Sequence, residues 1–597
     1  LDIAVANGTL QVDAAVSTTG TVSAKNLTVV GAGSSVKASA FELSPEGTLT
    51  MSGGTLDLSA TNGATTDIYA IAGGSSGTIT EGGTAGTIAL NKTSTDLGKL
   101  NFIAESGTVK LTGTAEAPIT VETAGNVSAQ NLVVGANMLV GANVTVGNTP
   151  DRTGAGLTLN GGTLTGTTNV TVNKVDEENL SGTVDGGTVS FDLDQKDTAG
   201  ETVVAGTLHL GSEATNTNKV WIRGEGLTLG EGSVVTATGD GVNADNGTAT
   251  GLVVGGAAET ATVFDLSETG TKLNVNAVNV YSADVLKLSG DQKIGIGDND
   301  GKIWLGVAAA GEDAGKISTS GTLTSLGQTT MNGGCIESSD SIPEQPEEGV
   351  SYPEATIHLG NVAMGNGVIS AVNGSVKVAD VRDQGIIAAK DISVGSVSDA
   401  DTDKVILAGS ENGETAADKL TFTGPTASNI SENAGSVVNT KALELADGAD
   451  VTIGSSTNAN ILNEGNLASV ALGGGASLNT TSEDLSALTS VALATGTADD
   501  RTTWTHSSGI AVNGSVSVGN RSDITADSID FGRANLKIGG TATLTSENGD
   551  VTLGGVEGLE DRVLATATVE SAADIVFAAD STSSLHLKAT GDIVVNE

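Results

Sequence analysis

Val372-Asn373-Gly374-Ser375-Val376-Lys377-Val378, followed by Ile392-Ser393-Val394-Gly395, returns as Val512-Asn513-Gly514-Ser515-Val516-Ser517-Val518 followed by Ile529-Asp530-Phe531-Gly532. In each copy an Asn-Gly pair precedes a run in which apolar and polar residues alternate. A second alternating run closes the unit roughly 20 residues after the pair, the length of one β-helix coil in which three short strands and three turns make a rung. Alternation with period two sends the valines to one face of a strand and the polar residues to the other. A second pair of copies reads the same way: Thr18-Thr19-Gly20-Thr21-Val22-Ser23-Ala24-Lys25-Asn26-Leu27 and Thr123-Ala124-Gly125-Asn126-Val127-Ser128-Ala129-Gln130-Asn131-Leu132.

Working outward, short alternating segments recur along the chain, among them Thr48–Met51, Leu157–Asn160, Thr207–Leu210 and Leu227–Leu229. Asn-Gly occurs ten times, for example at Asn7-Gly8, Asn160-Gly161, Asn332-Gly333, Asn366-Gly367, Asn412-Gly413 and Asn513-Gly514. Both residues tolerate positive φ and are expected in tight turns. Turns alone fit hairpins as well as solenoid corners; the internal repeats select the solenoid. Composition agrees. Aromatic residues make up 2% of the 597 residues, too few for a thick core, whereas Val, Leu, Ile and Ala suit a thin core repeated many times. The expected fold is all-β, a parallel β-helix (β-solenoid) with coils of about 20 residues and protruding loops. Stacking at about 4.8 Å would give roughly 25 coils over a length on the order of 120 Å.

The repeat is interrupted most clearly from Glu337 to Glu354, which holds three of the seven prolines, Pro343, Pro346 and Pro353. Proline lacks the N–H a ladder needs. The expected organisation is therefore a solenoid block over 1–336, a Pro/Glu-rich loop or break over 337–355, and a second block over 356–597 continuous with the first. A short helix is expected over Ser482 to Ala494, with Ser482 as N-cap and Glu483 and Asp484 at its positive end.

Net charge is −44, which repels phosphate backbones and anionic membrane surfaces, so nucleic acid is excluded as a partner. No run of 18 apolar residues occurs, so no transmembrane helix and no direct membrane insertion are expected in this segment. Leu1-Asp2-Ile3 opens in strand-like sequence with no signal-peptide pattern, as expected of a processed or trimmed start. Cys335 is the single cysteine and is expected to be a buried or inert thiol, with intermolecular linkage as the alternative.

Gly47-Thr48-Leu49-Thr50, Asn160-Gly161-Gly162-Thr163-Leu164-Thr165-Gly166 and Gly321-Thr322-Leu323-Thr324, together with the Asn-Gly turns, the low cysteine content and the acidic charge, resemble the passenger domains of bacterial autotransporters and related surface adhesins. The likeness extends over most of the chain. It implies a right-handed parallel β-helix displayed extracellularly, on the bacterial cell surface. A full-length member ends in a membrane barrel; the stretch up to Glu597 shows no barrel-like aromatic girdle, which implies that the barrel was removed or that another route is used.

No catalytic constellation emerges, and the chain is expected not to be an enzyme. Gly73-Gly74-Ser75-Ser76-Gly77 has nucleophile-elbow spacing, but the strand-like Thr78-Ile79-Thr80 follows where a helix is needed. The four histidines are His209, His358, His506 and His586. His506 reads as an ordinary surface residue, and His209 and His586, in Leu-His-Leu strings, as outward-facing. Trp304 follows Asp298-Asn299-Asp300-Gly301-Lys302 and reads as capping or flanking a coil. Calcium is the cofactor the acidic turns could take, since hard cations choose oxygen ligands. The candidates are Asp298 with Asp300, and Asp399 with Asp401 and Asp403. Lys404 stands where a calcium loop wants glycine, and Ser410 closes it in place of the bidentate Glu.

The expected function is a non-enzymatic surface adhesin or rigid display stalk acting through multivalent polar contacts. Its partner would be a receptor or glycan on a host or neighbouring cell, or copies of itself. The first alternative is a self-assembling subunit of a filament, sheath or S-layer, suggested by Ile3, Val5, Val594 and Val595 at ends without a polar cap. The second is a β-helix polysaccharide hydrolase or lyase.

Overall fold

The computed structural model describes residues 1–553 except 59–63, 82–85, 91–95, 112–113, 115, 123, 148–154, 194–202, 225, 246, 257–260, 282, 307–312, 339–354, 399–403 and 539–541. Beyond 553 it describes the backbone of the strands Val563–Leu564, Ala567–Ser571, Ile575–Phe577, Leu585–Ala589 and Ile593–Val595. Among the described residues, one single-turn 3₁₀ helix at Glu177–Asn179 is the sole helical element.

The strand Thr21–Val30 shows how the sequence makes the fold. Val22, Ala24, Leu27 and Val29 are buried, and the residues between them face outward. The strand pairs in parallel with Ile3–Val12 on one side and with Ala40–Leu43 and Leu49–Asp57 on the other. The same parallel pairing repeats along the chain, giving a β-solenoid of about 21 coils. The chain divides into two compact units, Leu1–Ile317 and Ser318–Glu597. In the second unit the ladder passes across the proline-rich stretch: Thr322 lies beside Thr356, and Cys335 beside Val368. Residues 339–354 themselves lie outside those described.

Coil length varies more than the repeats suggest. A hydrogen bond between adjacent coils spans 16 positions from Ser396 to Asp380 and 38 from Asn276 to Thr238. The extra residues leave the coil as loops, which is why there are fewer coils than a uniform 20-residue period implies.

The Asn-Gly pairs take more than one backbone form. Asn160-Gly161 and Asn332-Gly333 are tight turns with both residues at positive φ (37° and 81°; 38° and 83°). Asn7-Gly8, Asn373-Gly374 and Asn513-Gly514 instead lie inside continuous strands, Ile3–Val12, Gly367–Arg382 and Gly509–Val518. There the strand turns a corner at a slip in register, between Val5 and Thr9 and between Ala371 and Ser375. Glycine is needed at the Gly374 and Gly514 corners because the backbones of adjacent coils meet. A Cβ on Gly374 would lie 1.9 Å from the Ala355 carbonyl oxygen, and one on Gly514 would lie 2.1 Å from that of Thr489.

Asparagine side chains close other corners. Asn26 Oδ1 accepts the Thr48 N–H at 3.0 Å, and Asn131 Oδ1 accepts the Gly156 N–H at 2.9 Å. These two asparagines occupy matching positions in the repeat pair that begins at Thr18 and Thr123. A ladder of asparagines runs beside them: Asn101 Oδ1 accepts the Asn126 N–H (3.0 Å), Asn126 Oδ1 accepts the Asn143 N–H (3.1 Å), and Asn143 Oδ1 accepts from Asn169 Nδ2 (3.1 Å). Four of these five bonds take a backbone N–H at a bend, and the fifth links two side-chain amides.

Inside, like stacks on like. One inward column of the first unit runs Ala104, Ala129, Val146, Val172, Phe191, Ile222, Val254, Val280 and Leu305. Beneath Ala104 the same column holds Glu81, 1% exposed. Gly86 and Gly107 make room for it, since a Cβ on either would come within 2.7 Å and 2.3 Å of its carboxyl oxygens. Gly86 N–H donates to Oε1 at 3.3 Å, Oε2 has no partner among the described residues, and burial pushes the carboxyl pKa up. Ile3 and Val5 are half-buried, whereas their neighbours Val22 and Ala24 in the next coil are buried.

The segment read as a helix over Ser482 to Ala494 is the strand Leu485–Leu493. Its buried Leu485, Leu488, Val491 and Leu493 pair with Ile510, Val512, Val516 and Val518 of the next coil. The Ser482 hydroxyl donates to the Glu483 carbonyl, and Asp484 Oδ1 accepts the Gly509 N–H of the next coil. Local capping chemistry is overridden by a ladder on both sides.

Gly374→Ala is expected to destabilise by about 1–3 kcal/mol, the usual cost of overpacking. Gly33, with open space around it and no positive φ, should accept alanine with no loss. Paired thermal melts of the two variants check this.

Candidate functional site

The strand Thr502–His506 directs Thr502, Trp504 and His506 inward and Thr503 and Thr505 outward. Inside, the ring of His506 is 2% exposed, so the surface reading of this histidine is corrected. Its Nε2 faces the Glu483 carbonyl oxygen at 3.2 Å. A carbonyl only accepts, so Nε2 carries the proton. Nδ1 therefore accepts from the Thr480 hydroxyl at 3.0 Å, and that oxygen accepts the Trp504 indole N–H at 3.1 Å. Burial holds the His506 pKa below its ordinary 6.5, although the Glu483 and Thr480 hydrogen bonds and the charges of Asp484 and Asp527 pull the other way. Both ring nitrogens are committed to partners, and the Thr480 hydroxyl that faces Nδ1 is itself buried.

On the outer side of the same strand lies a polar groove of about 350 Å³, lined by Arg501, Thr503, Thr505, Asp523, Thr525, Thr543 and Thr545 with Trp504 at its floor. Thr503, Asp523 and Thr543 stack in one column. Arg501 donates through Nε and Nη2 to both carboxylate oxygens of Asp523 and reaches the Thr543 hydroxyl at 3.5 Å. The second column runs through six coils: Asn429, Thr452, Asn479, Thr505, Thr525 and Thr545. None of these six is charged, and none is fully buried; the same register continues past Thr545 to Glu570 and Lys588, and past Asn429 through Ser398 to Arg382. The Thr-x-Thr spacings at Thr503–Thr505 and Thr543–Thr545 are visible in the sequence; the register that aligns them with Asn429, Thr452 and Asn479 is not.

A second built feature lies on the first unit. Trp221, Val253, Asn279 and Trp304 stack on successive coils, outside the inward column. Residues 239–245 and 247–250 cover them: Ala249 and Val242 pack with Val253, Tyr281, Trp304 and Trp221. The Tyr281 and Trp304 rings lie 4.6 Å apart. Tyr281 donates its hydroxyl to the Asn243 carbonyl, and Asn279 donates to the carbonyls of Gly241 (3.2 Å) and Thr250 (3.0 Å). Trp221 is held between Lys219 Nζ and the Arg223 guanidinium, 3.9 and 4.0 Å from its ring centre, and donates to the Gly255 carbonyl at 2.9 Å. Burial, with Arg223 nearby, lowers the Lys219 pKa to about 8, against the pull of Asp245. Trp304 thus anchors a loop through the aromatic cluster.

Asp298 and Asp300 sit exposed on a turn whose Asn299 Oδ1 accepts the Gly301 N–H at 2.8 Å. Asp399, Asp401 and Asp403 lie outside the described residues. Among the described residues no group of three or more His, Cys, Asp or Glu is placed to hold a metal ion. His209 and His358 are half-buried on strands; the side chain of His586 lies outside the description. Gly73-Gly74 is a turn leading into the strand Ser76–Glu81. Cys335 is half-buried, with its thiol 3.7 Å from Glu337 Oε2.

Trp304→Ala is expected to cost about 3–5 kcal/mol and, by loosening the cover over Trp221, to expose the strand Lys219–Gly224 to tryptic cleavage at Lys219 or Arg223 while leaving the second unit intact. His506 should make acid destabilising. Its folded pKa is depressed, so the unfolded chain takes up the proton first, and stability falls as pH drops below about 6.5 toward the folded value. Melting followed from pH 8 to pH 5 should show a smaller acid loss for His506→Gln than for the parent. No protein-family model, no curated protein and no solved structure matches the chain.

Proposed function

We propose that the chain is a non-enzymatic extracellular scaffold, a bacterial surface adhesin or display stalk that holds its partner through many weak polar contacts. One observation carries this reading: the uncharged outward column from Asn429 to Thr545, repeated coil after coil. A ladder fixed on both sides presents these groups with little left to order on binding, which lowers the entropic cost of each contact. Single contacts of this type are weak, and their repetition supplies the avidity. The extracellular assignment is supported by the likeness to autotransporter passengers and by a single cysteine in 597 residues.

Beads coated with the purified chain are expected to adhere to epithelial or bacterial cells under flow, while the free chain sediments as a single species over a hundredfold concentration range. Absence of adhesion on every cell type would sink the reading. Assemblies that grow with concentration would favour the filament or surface-layer subunit, and release of reducing sugar from a polysaccharide would favour the enzyme.

A further inference from the structure

We infer that the column Asn429, Thr452, Asn479, Thr505, Thr525 and Thr545, with the groove beside it, binds a neutral linear polysaccharide laid across successive coils. This names a ligand class for the adhesive surface proposed above and rests on that reading. Three features select the ligand. The first is charge. The chain carries −44 overall, yet these six successive positions carry no charge, and the first charged residues in their register are Arg382 and Glu570, beyond either end. At the groove the one cation, Arg501, is engaged by both oxygens of Asp523. A polyanion is repelled by the chain at large, and a polycation would meet only Asp450 beside Thr452 and Glu570 beyond Thr545.

The second feature is hydrogen-bonding character. Each threonine hydroxyl offers one donor and two acceptor sites, and each asparagine amide offers both kinds. That mixture matches a ligand whose own groups are hydroxyls. An apolar ligand finds no wall, because Trp504 is 1% exposed and its N–H is spent on Thr480. The third feature is extent. Six coils at about 4.8 Å make a stripe on the order of 24 Å long, too long for one sugar and suited to a chain of several. The inner side of the strand Thr502–His506 is locked by the Trp504–Thr480–His506 relay, so Thr503 and Thr505 are held in place before any ligand arrives.

The test is affinity electrophoresis of the whole chain in native gels containing a mixed-linkage β-glucan, a linear α-1,6-glucan or a galactomannan, with alginate as the polyanionic control. At least one neutral polymer should retard the protein, alginate should not, and added salt should leave the retardation intact. The near-isosteric triple substitution Thr505→Val, Thr525→Val, Thr545→Val removes three hydroxyls and should weaken binding about tenfold or more with an unchanged circular dichroism spectrum. Should the triple variant not fold, Asn479→Asp, which places a charge mid-column, should weaken binding in the same way. No retardation by any neutral polymer, or equal retardation of parent and folded variants, would overturn the assignment. Bead adhesion undiminished in the triple variant would remove this site and leave the adhesin reading standing. Glycan binding without bead adhesion would do the reverse.

Discussion

The structure depends on one repeated interaction, the parallel hydrogen-bond ladder between one coil and the next. Each strand is bonded to the coil before and the coil after, so its in–out alternation is copied upward and downward. The apolar column from Ala104 to Leu305 and the polar column from Asn429 to Thr545 are both consequences of that copying. So are the corner glycines. Where backbones pass at ladder distance on a bend, no Cβ fits, and Gly374 and Gly514 follow from the geometry of stacking.

The fold was legible because its two signals are local: period-two alternation and a recurring Asn-Gly string. Handedness entered only through resemblance. What failed to be legible was everything set by the neighbouring coil. Ser482 to Ala494 carries helix-start chemistry, yet Leu485, Leu488, Val491 and Leu493 find partners in the next coil, Val491 and Leu493 in the preceding one as well, and the segment extends. His506 sits beside Ser507 and Ser508 in a stretch that reads as surface, but alternation from Trp504 turns it inward. Asn373-Gly374 and Asn160-Gly161 are identical dipeptides in different backbone conformations, since one lies against Ala355 and the other has open space around its glycine. The aligned threonines of the candidate site are separated by 20 residues or more in sequence; only register brings Thr505, Thr525 and Thr545 together. Of the calcium candidates, Asp298 and Asp300 sit on an exposed turn, and Asp399, Asp401 and Asp403 lie outside the described residues.

Stacking also sets a problem for an acidic chain, because a carboxylate repeated at one column position would face its own copy about 4.8 Å away. The cations are placed against this. Lys37 bonds Asp57 (3.1 Å), Lys287 bonds Asp265 (3.2 Å) and Lys441 bonds Asp418 (2.6 Å), each to a residue of an adjacent coil. Exposed pairs of this kind contribute little individually. Their value lies in breaking runs of like charge, so that 27 basic residues suffice among 71 acidic ones. The other solution is to leave a stretch of a column uncharged, as on the face of the second unit that carries the groove.

The spread in coil length, from 16 to 38 positions between bonded neighbours, bears on how such a chain can change over time. Register is held by a few short strand segments per coil, while the connecting loops contribute little to it. An insertion at a loop therefore alters what the surface displays without disturbing the layers around it, as residues 239–245 and 247–250 do over the aromatic cluster of the first unit. Duplication or loss of a whole coil joins two layers that already share the same alternation. A protein built this way can be lengthened, shortened or re-decorated in separate steps, with the part that folds insulated from the part that faces the world.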